Sequence, residues 1–305
     1  MFPEIELMKK NILVVYYTQS GQLKAIADSI LQPFGDCNVV FHEIKMEEEF
    51  PFPWTGDSFF NSFPDSFQQR PHRLKPVPAE ILEGNYDLVL FHYQVWFLSP
   101  SIPVTSFLKS ADGQKLLSGR PVVTVSGTRN MWILAQEKVK KLLKEAGAHL
   151  VGNVALVDRA ANLVSVVTIV DWLFSGVKRK YLGIFPMPGV SEEDIRGAER
   201  FGRIIRDHLE AGSLGSLQPE LAANGAVPIS SFLLSVDQKG NAIFKKWVQI
   251  IDKRPAQRKF LLKLFNIYVV LALYVVSPIV FVFHNLTYPF WRKSFLRERE
   301  YFQSV

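Results

Sequence analysis

The chain has 305 residues, 48% hydrophobic and 21% charged, with a formal net charge of +6 and one cysteine, Cys37. That length buries at least one full core and allows two folding units, while a lone cysteine excludes an internal disulfide framework and a cysteine-rich metal site, which fits a reducing cytoplasm. The charge does not point to nucleic acid: residues 245–305 hold eleven basic and three acidic side chains, the first 244 hold 24 and 26, and no nucleic-acid-binding motif accompanies them.

The start, "MFPEIELMKK", lacks the basic and then apolar regions of a secretory signal. Met8 is an equally good start, with Met1 to Leu7 then a leader. Asn11 to Tyr17 reads as a buried strand, and Gln22 to Leu31 has helical spacing. Between them lies "TQSGQL", Thr18 to Leu23. Thr18, Ser20 and the backbone N–H groups from Ser20 to Leu23 can surround a terminal phosphate, with Gly21 permitting close approach and the helix N-terminus supplying positive potential. The turn is neither G-x-x-x-x-G-K-[ST] nor G-x-G-x-x-G, which disfavours nucleoside triphosphates and ordinary dinucleotides. An N-capped turn without ligand is the bland alternative.

Asn38 to Ile44 reads as a second strand. The stretch from Glu47 to Pro78, rich in Pro, Phe and Ser, is too irregular for a long helix or strand, and long ordered loops in compact domains tend to be functional. A third strand, Tyr86 to His92, runs into "HYQVWFLSPSIP". In a doubly wound sheet the loops after the first and third strands flank the crevice where ligands bind. Tyr93, Gln94, Val95, Trp96 and Phe97 then face that crevice, three of them offering flat surfaces to a planar ring; ordinary core aromatics are the alternative. His92 is a candidate base, although a histidine at a strand end is more often structural.

Pro121 to Ser126 is a fourth strand, followed by "SGTRNMW". Gly127, Thr128 and Asn130 offer hydrogen bonds to the polar edge of a ring, and Arg129 can stabilise negative charge on a reduced ring or an enolate; a helix N-cap at Asn130 explains the loop equally well. Met131 to Ala146 has helical periodicity and ends at Gly147, a plausible C′ glycine. Val151 to Val157 is a fifth strand, Leu163 to Phe174 an apolar helix or wall beside the site, Lys180 to Phe185 a further strand, and Ser191 caps a helix through Leu209. Alternating strands and helices favour a parallel sheet covered on both faces. No metal site is expected.

After Gly212 the pattern changes. Residues 213–243, rich in Gly, Ser, Ala and Pro, read as a linker between an α/β unit (8–212) and a basic, apolar C-terminal region (244–305). From Leu264 to Trp291 the chain has 28 residues without Asp, Glu, Lys or Arg, long enough to span a bilayer. Ser277-Pro278 interrupts it and basic clusters flank both ends, so a hairpin re-entering at Pro278 satisfies the positive-inside rule better than a span; a core helix pair or a dimer interface is the bland reading. Membrane contact through 264–291, by a surface or the inner leaflet, places the protein in the cytoplasm on the inner membrane.

Three loops at strand ends, with a phosphate seat at one side and aromatic surfaces at the other, describe a site for FMN. The order of motifs resembles the flavodoxin-like family: "TQSG" is similar to its phosphate loop T-x-[ST]-G-x-[ST], and "QVWFLSPSIPVTSFL" resembles the W-F-[GS]-x-P-A-x-L-K stretch of its quinone-reductase branch. Leu23 stands where that loop has Ser or Thr, so phosphate affinity shifts towards main-chain donors. The resemblance covers about the first 210 residues and implies a doubly wound five-stranded parallel sheet of order 2-1-3-4-5, with a hydrophobic helical C-terminal extension. "VYYTQSGQL", "SGTRNMW" and "VDRAANLVSVVTIVDWLF" further resemble bacterial dialkylresorcinol condensing enzymes of dialkylresorcinol and flexirubin-type pigment pathways. Condensation of acyl thioesters needs a nucleophilic Cys with His partners, and Cys37 has none in its motif. The resemblance instead implies an FMN-dependent aromatase that oxidises a lipophilic dialkylated cyclohexanedione made by a separate ketosynthase. An NAD(P)H-dependent quinone or FMN reductase and a non-catalytic flavin electron carrier are the alternatives, and a homodimer is compatible with all three.

Overall fold

The computed structural model describes residues 9–305; the leader reading of residues 1–7 lies outside the described residues. The first strand, β1 (Asn11–Tyr16), has Ile12, Leu13, Val14 and Val15 fully buried on both faces, as a strand sandwiched between helical layers must be. It is joined by β2 (Asn38–Glu43), β3 (Leu88–Tyr93), β4 (Pro121–Thr128) and β5 (His149–Val157) in one parallel sheet of order 2-1-3-4-5. This is the flavodoxin-like order, whose reversal at β1 and β3 opens a crevice at the C-terminal edge. Register brings the strand ends level there: Tyr16 pairs with Glu43 and His92, Tyr93 with Ser126, and Thr128 with Val157.

The period of two along each strand sorts the core into two layers. Ile12, Val14, Leu88 and Leu90 pack under helices Gln22–Ile30 and Glu199–Glu210, whereas Leu13, Val15, Val89 and Phe91 pack under Ile102–Lys109 and Ile133–Glu145. The first layer is so close that a Cβ at Gly202 would stand 1.9 Å from Ile30 O. Local signals act as expected at several ends. Ser191 accepts from Asp194 N–H, and Gly147, at φ +72°, closes a Schellman turn in which Ala148 N–H reaches Leu143 O and Gly147 N–H reaches Lys144 O. Leu163 to Phe174 lies within a helix, Asn162–Ser175.

Two expectations are corrected. Lys180 to Phe185 is not a strand; it holds only a 3₁₀ turn, Tyr181–Gly183, with Leu182 and Ile184 exposed. The outer edge of β5 is already taken, because Ala155 N–H donates to Ala226 O and Asn153 N–H to Gln218 Oε1. The stretch 213–243 is not a loose connection. It carries helix Leu217–Ala223 and the first half of Ser231–Asp252, and Leu217, Leu221, Ala226 and Val227 are buried in the main core. Its small residues serve close packing on β5, where a Cβ at Gly152 would meet Leu221 at 3.0 Å.

The tail is one unbroken helix, Pro255–Gln303, long and apolar enough by length and composition to cross a membrane. No turn interrupts the helix at Pro278, where a hairpin bend was expected. A π-turn, Ala272–Val276, sits just before Ser277-Pro278 and re-phases the ladder around the missing N–H.

Candidate functional site

β1 delivers the chain to the sheet edge, and helix Gln22–Ile30 starts at once from Gly21, which is left-handed at φ +79°, ψ −11°. Ala25 N–H makes the first intrahelical bond, to Gly21 O, so the N–H groups of Gln22, Leu23 and Lys24 are left over, and no side chain caps them among the described residues. The Thr18 hydroxyl beside them is buried without a hydrogen-bond partner among the described residues. An ideal Cβ at Gly21 would have nothing within 4 Å, so the approach to the turn is open. Spare donors, a helix dipole and an orphan hydroxyl make an anion seat without Lys or Arg. The helix starts from a glycine N-cap, with no side chain serving the leftover donors among the described residues.

The neighbours of this turn are set by glutamines. Gln19 accepts from Trp54 Nε1–H and donates to Pro51 O, while Gln22 donates to Val190 O and accepts from Val190 N–H. Ser20 is exposed and Leu23 is buried in the core, so Leu23 can offer only its backbone. Gly127 lies against the first turn of the helix, where a Cβ would stand 2.8 Å from Ile26 Cδ1 and 3.2 Å from Leu23 Cδ2.

On the other side stands Trp96. Gln94 donates to Tyr17 O and accepts from Trp96 Nε1–H, and the Tyr17 and Trp96 rings meet edge to face at 6.1 Å. Phe50 and Trp54 close on Trp96 at 5.1 and 5.2 Å. Val95 and Trp96 form a two-residue ribbon with Ser99 and Pro100, turned by Phe97 and Leu98 at φ +47° and +59°. Lys138 fixes that turn by donating to Leu98 O and Ser99 Oγ, and burial pulls its ammonium down to about 8 against the pull of Asp237.

The third loop is a polar network. Arg129 donates to Asn162 Oδ1 at 2.9 Å, and Asn130 Nδ2 donates to the same oxygen. Asp158 lies behind them, held by Ser165 Oγ–H and Ala160 N–H, and Thr128 O accepts from Asp158 N–H. Desolvation lowers the Arg129 guanidinium to about 10, with Asp158 and then Tyr274 of the tail opposing, so it stays a cation at neutral pH. A half-buried cation held by a neutral amide is suited to hold a developing anion.

The structure thus brings Thr18, Gly21, Gln22, Gln94, Trp96, Gly127, Arg129 and Asn130 to one edge. It removes three other expected residues. Tyr93 points into the opposite layer, fully buried, and donates to Gln136 Oε1 at 2.7 Å, because it alternates with His92. Phe97 is turned by its left-handed backbone into a cluster with Phe59, Phe60 and Phe63. His92 is fully buried, shares Nδ1 with Leu90 O and is pushed by burial to about 4, so it is a neutral core residue and not a base within reach of substrate. Sequence reasoning missed Trp54, Phe50, Asp158, Asn162 and Lys138. The Asp158, Asn162, Ser165 spacing of a helical face was a usable signal; Lys138 had none. Among the described residues no cluster of His, Cys, Asp and Glu could hold a metal ion.

No family model matches the chain, and no curated protein matches it in sequence. Solved structures similar to it include a flavoprotein in complex with FMN from Lactobacillus acidophilus, 19% identical over 48% of this chain and 93% of that one, with a TM-score of 0.37. A flavodoxin from the domain Archaea is 11% identical over 66% of this chain and 99% of that one (TM-score 0.33). The Trp repressor binding protein from Bacillus subtilis is 10% identical over 49% of this chain and 85% of that one (TM-score 0.30). Strand order and register define the fold.

Proposed function

We propose that the protein is an FMN-dependent oxidoreductase that aromatises a dialkylated cyclohexanedione to a dialkylresorcinol. The observation that carries the flavin reading is the uncapped helix start beside the orphan Thr18 hydroxyl, at the reversal point of the sheet and next to Tyr17, whose ring meets Trp96. These residues fit a ribityl phosphate: Thr18 Oγ and the N–H groups of Gln22, Leu23 and Lys24 would hold it, with Ser20 at its exposed rim. Trp96, Gly127 and Asn130 would flank the ring, with Trp54 and Phe50 excluding water. When bound, the flavin supplies two-electron redox chemistry, and the protein's part is to hold and orient.

The substrate class rests on the resemblance of "VYYTQSGQL", "SGTRNMW" and "VDRAANLVSVVTIVDWLF" together with the site's chemistry. A 1,3-dione enolises readily, so no strong base is required, and the loss of His92 as a base costs the reading nothing. Arg129 would hold the enolate oxygen as a fixed cation, with Asn162 setting its direction. Apolar side chains of Asn162–Ser175, such as Val170 and Phe174, remain exposed and suit alkyl substituents.

The deciding experiment is the visible spectrum of the purified protein, with released flavin quantified after denaturation, then repeated anaerobically with a dialkylated cyclohexane-1,3-dione or with NAD(P)H. Yellow protein bleached by the dione supports the proposal. Bleaching by NAD(P)H alone makes it a quinone or flavin reductase, and failure to bind added FMN overturns the cofactor.

A further inference from the structure

The middle of the tail helix is almost wholly apolar and leaves its outer face uncovered, although Phe281 meets Phe232 edge to face at 5.0 Å and Tyr274 lies close enough to act on Arg129. Between residues 270 and 283 no residue is buried, and Val270, Leu271, Val275, Val276, Ile279, Phe281, Val282 and Phe283 are about half exposed or more. A helix without a polar face has no stable place in water, and an exposed apolar surface of this extent marks an interaction site.

Both limbs are nevertheless fastened to the same body. Upstream, Leu261, Leu262 and Phe265 are buried, and the Phe265 ring stacks on Phe63 at 3.8 Å. Downstream, His284 bonds Ser231, Phe295 joins the main core, Tyr301 donates to Glu137, and Gln218 donates to Gln303 O. The helix must therefore bend. Straight, Phe265 to Glu298 would cover about 50 Å. Yet Phe265 contacts Trp247 and Glu298 contacts Gln238, positions only about 14 Å apart along the partner helix. Phe281 still meets Phe232 near the start of that partner helix, so the tail follows it past the π-turn at Ala272–Val276, and the return lies downstream, where Pro289 sits inside the helix.

We propose that residues 264–290 form an arch that dips into one leaflet of an anionic bilayer and returns to the side it entered from. A crossing helix would carry its downstream limb away from the domain, breaking the bonds of Tyr301, Gln303 and Ser304 to Glu137, Gln218 and Lys140. Charge selects the occupant. Lys253, Arg254, Lys259 and Lys263 on one limb and Arg292, Lys293, Arg297 and Arg299 on the other are exposed on both sides of the apolar stretch, the arrangement that suits acidic headgroups around an inserted segment. The proposal stands apart from the flavin reading.

Full-length protein is mixed with phosphatidylglycerol or phosphatidylcholine vesicles and separated by flotation. Wild-type protein floats with the acidic vesicles, and the double variant Val275→Glu, Val282→Glu partitions at least about tenfold less, with unchanged far-ultraviolet circular dichroism because both positions are exposed. In a Cys37→Ser background, Lys259→Cys and Lys293→Cys both react with a membrane-impermeant maleimide added outside the vesicles. Protection of Lys293→Cys alone would mean a span and overturn the arch. Equal flotation of the Glu variant overturns it as well, as does a concentration-dependent dimer that vesicles fail to dissociate and the Glu variant cannot form.

Discussion

The two walls of the candidate site are built in opposite ways. The turn at Thr18–Gln22 is a local object: a buried strand ends, a glycine takes the left-handed conformation, and a helix starts with its donors free. The ribbon around Trp96 depends on chain from everywhere else. Ser66 donates to Trp96 O, Lys138 holds Leu98 O and Ser99 Oγ, Phe97 is gripped by Phe59 and Phe63, and helix Ser231–Asp252 lies so close that a Cβ at Gly240 would stand 2.9 Å from Leu98 Cδ1. Two successive non-glycine residues at positive φ cost about 1–3 kcal/mol each and persist only where the surroundings over-determine them. A phosphate seat can be supplied by one turn, whereas a ring-facing loop has to be held by the whole fold.

Thr18→Val separates the two walls with the largest expected effect. The hydroxyl has no partner in the protein, so its loss should leave the stability of the flavin-free chain unchanged or slightly raised. Against a phosphate dianion it is worth about 1.5–3 kcal/mol, a roughly ten- to hundredfold weaker Kd for FMN, read by fluorescence titration. A fall in apo Tm with unchanged FMN affinity would show that the hydroxyl is structural and the turn is no anion seat.

Lys138→Met tests the other wall, and here stability and chemistry should move while phosphate affinity does not. Removing both donors frees the Leu98 turn, at about 1–3 kcal/mol, and the expected signature is altered tryptophan fluorescence and slower turnover, with the Kd for FMN within about threefold of the wild type. The pH dependence gives a second readout. The Lys138 ammonium sits at about 8 in the fold and near 10.4 unfolded, so the unfolded chain binds more protons between these values and stability rises with pH across that window. The Met variant should lose that rise in Tm measured from pH 8 to pH 10. Identical slopes would show that Lys138 is solvated and does not hold the loop.

The same contrast explains what could be read from sequence. "TQSG" was legible because strand, glycine and helix start are adjacent, and the five strands were legible because each is a short apolar run. The two-residue period, carried past His92, puts Tyr93 with Val89 and Phe91 in the other layer, away from the crevice. In 213–243 small residues signal either looseness or close packing, and only the edge of β5, already bonded to Ala226, decides which. The partners of Arg129 come from the next strand-to-helix connection, and the arch follows from contacts of both limbs with one domain, which composition cannot express.

The smallest effect is expected at His92, and its smallness is the point. On sequence grounds a histidine at the end of β3 could serve either wall as a base; in the structure it is enclosed and uncharged. Turnover of His92→Asn at neutral pH should stay within about twofold of wild type, since the replacement amide can still donate to Leu90 O where Nδ1 does. Stability should report the residue instead. Its folded value of about 4 lies below the unfolded value near 6.5. Between these the unfolded chain binds the extra proton, and stability falls as pH falls. The loss amounts to about 2–3 kcal/mol by pH 4, and His92→Asn should remove most of it in denaturant titrations, leaving the shallower slope of His42, which burial also pushes down. If the variant instead keeps the wild-type acid slope and loses the acid limb of its turnover profile, the imidazole is reaching substrate, and the enclosed position of His92 is not the one in which the protein works.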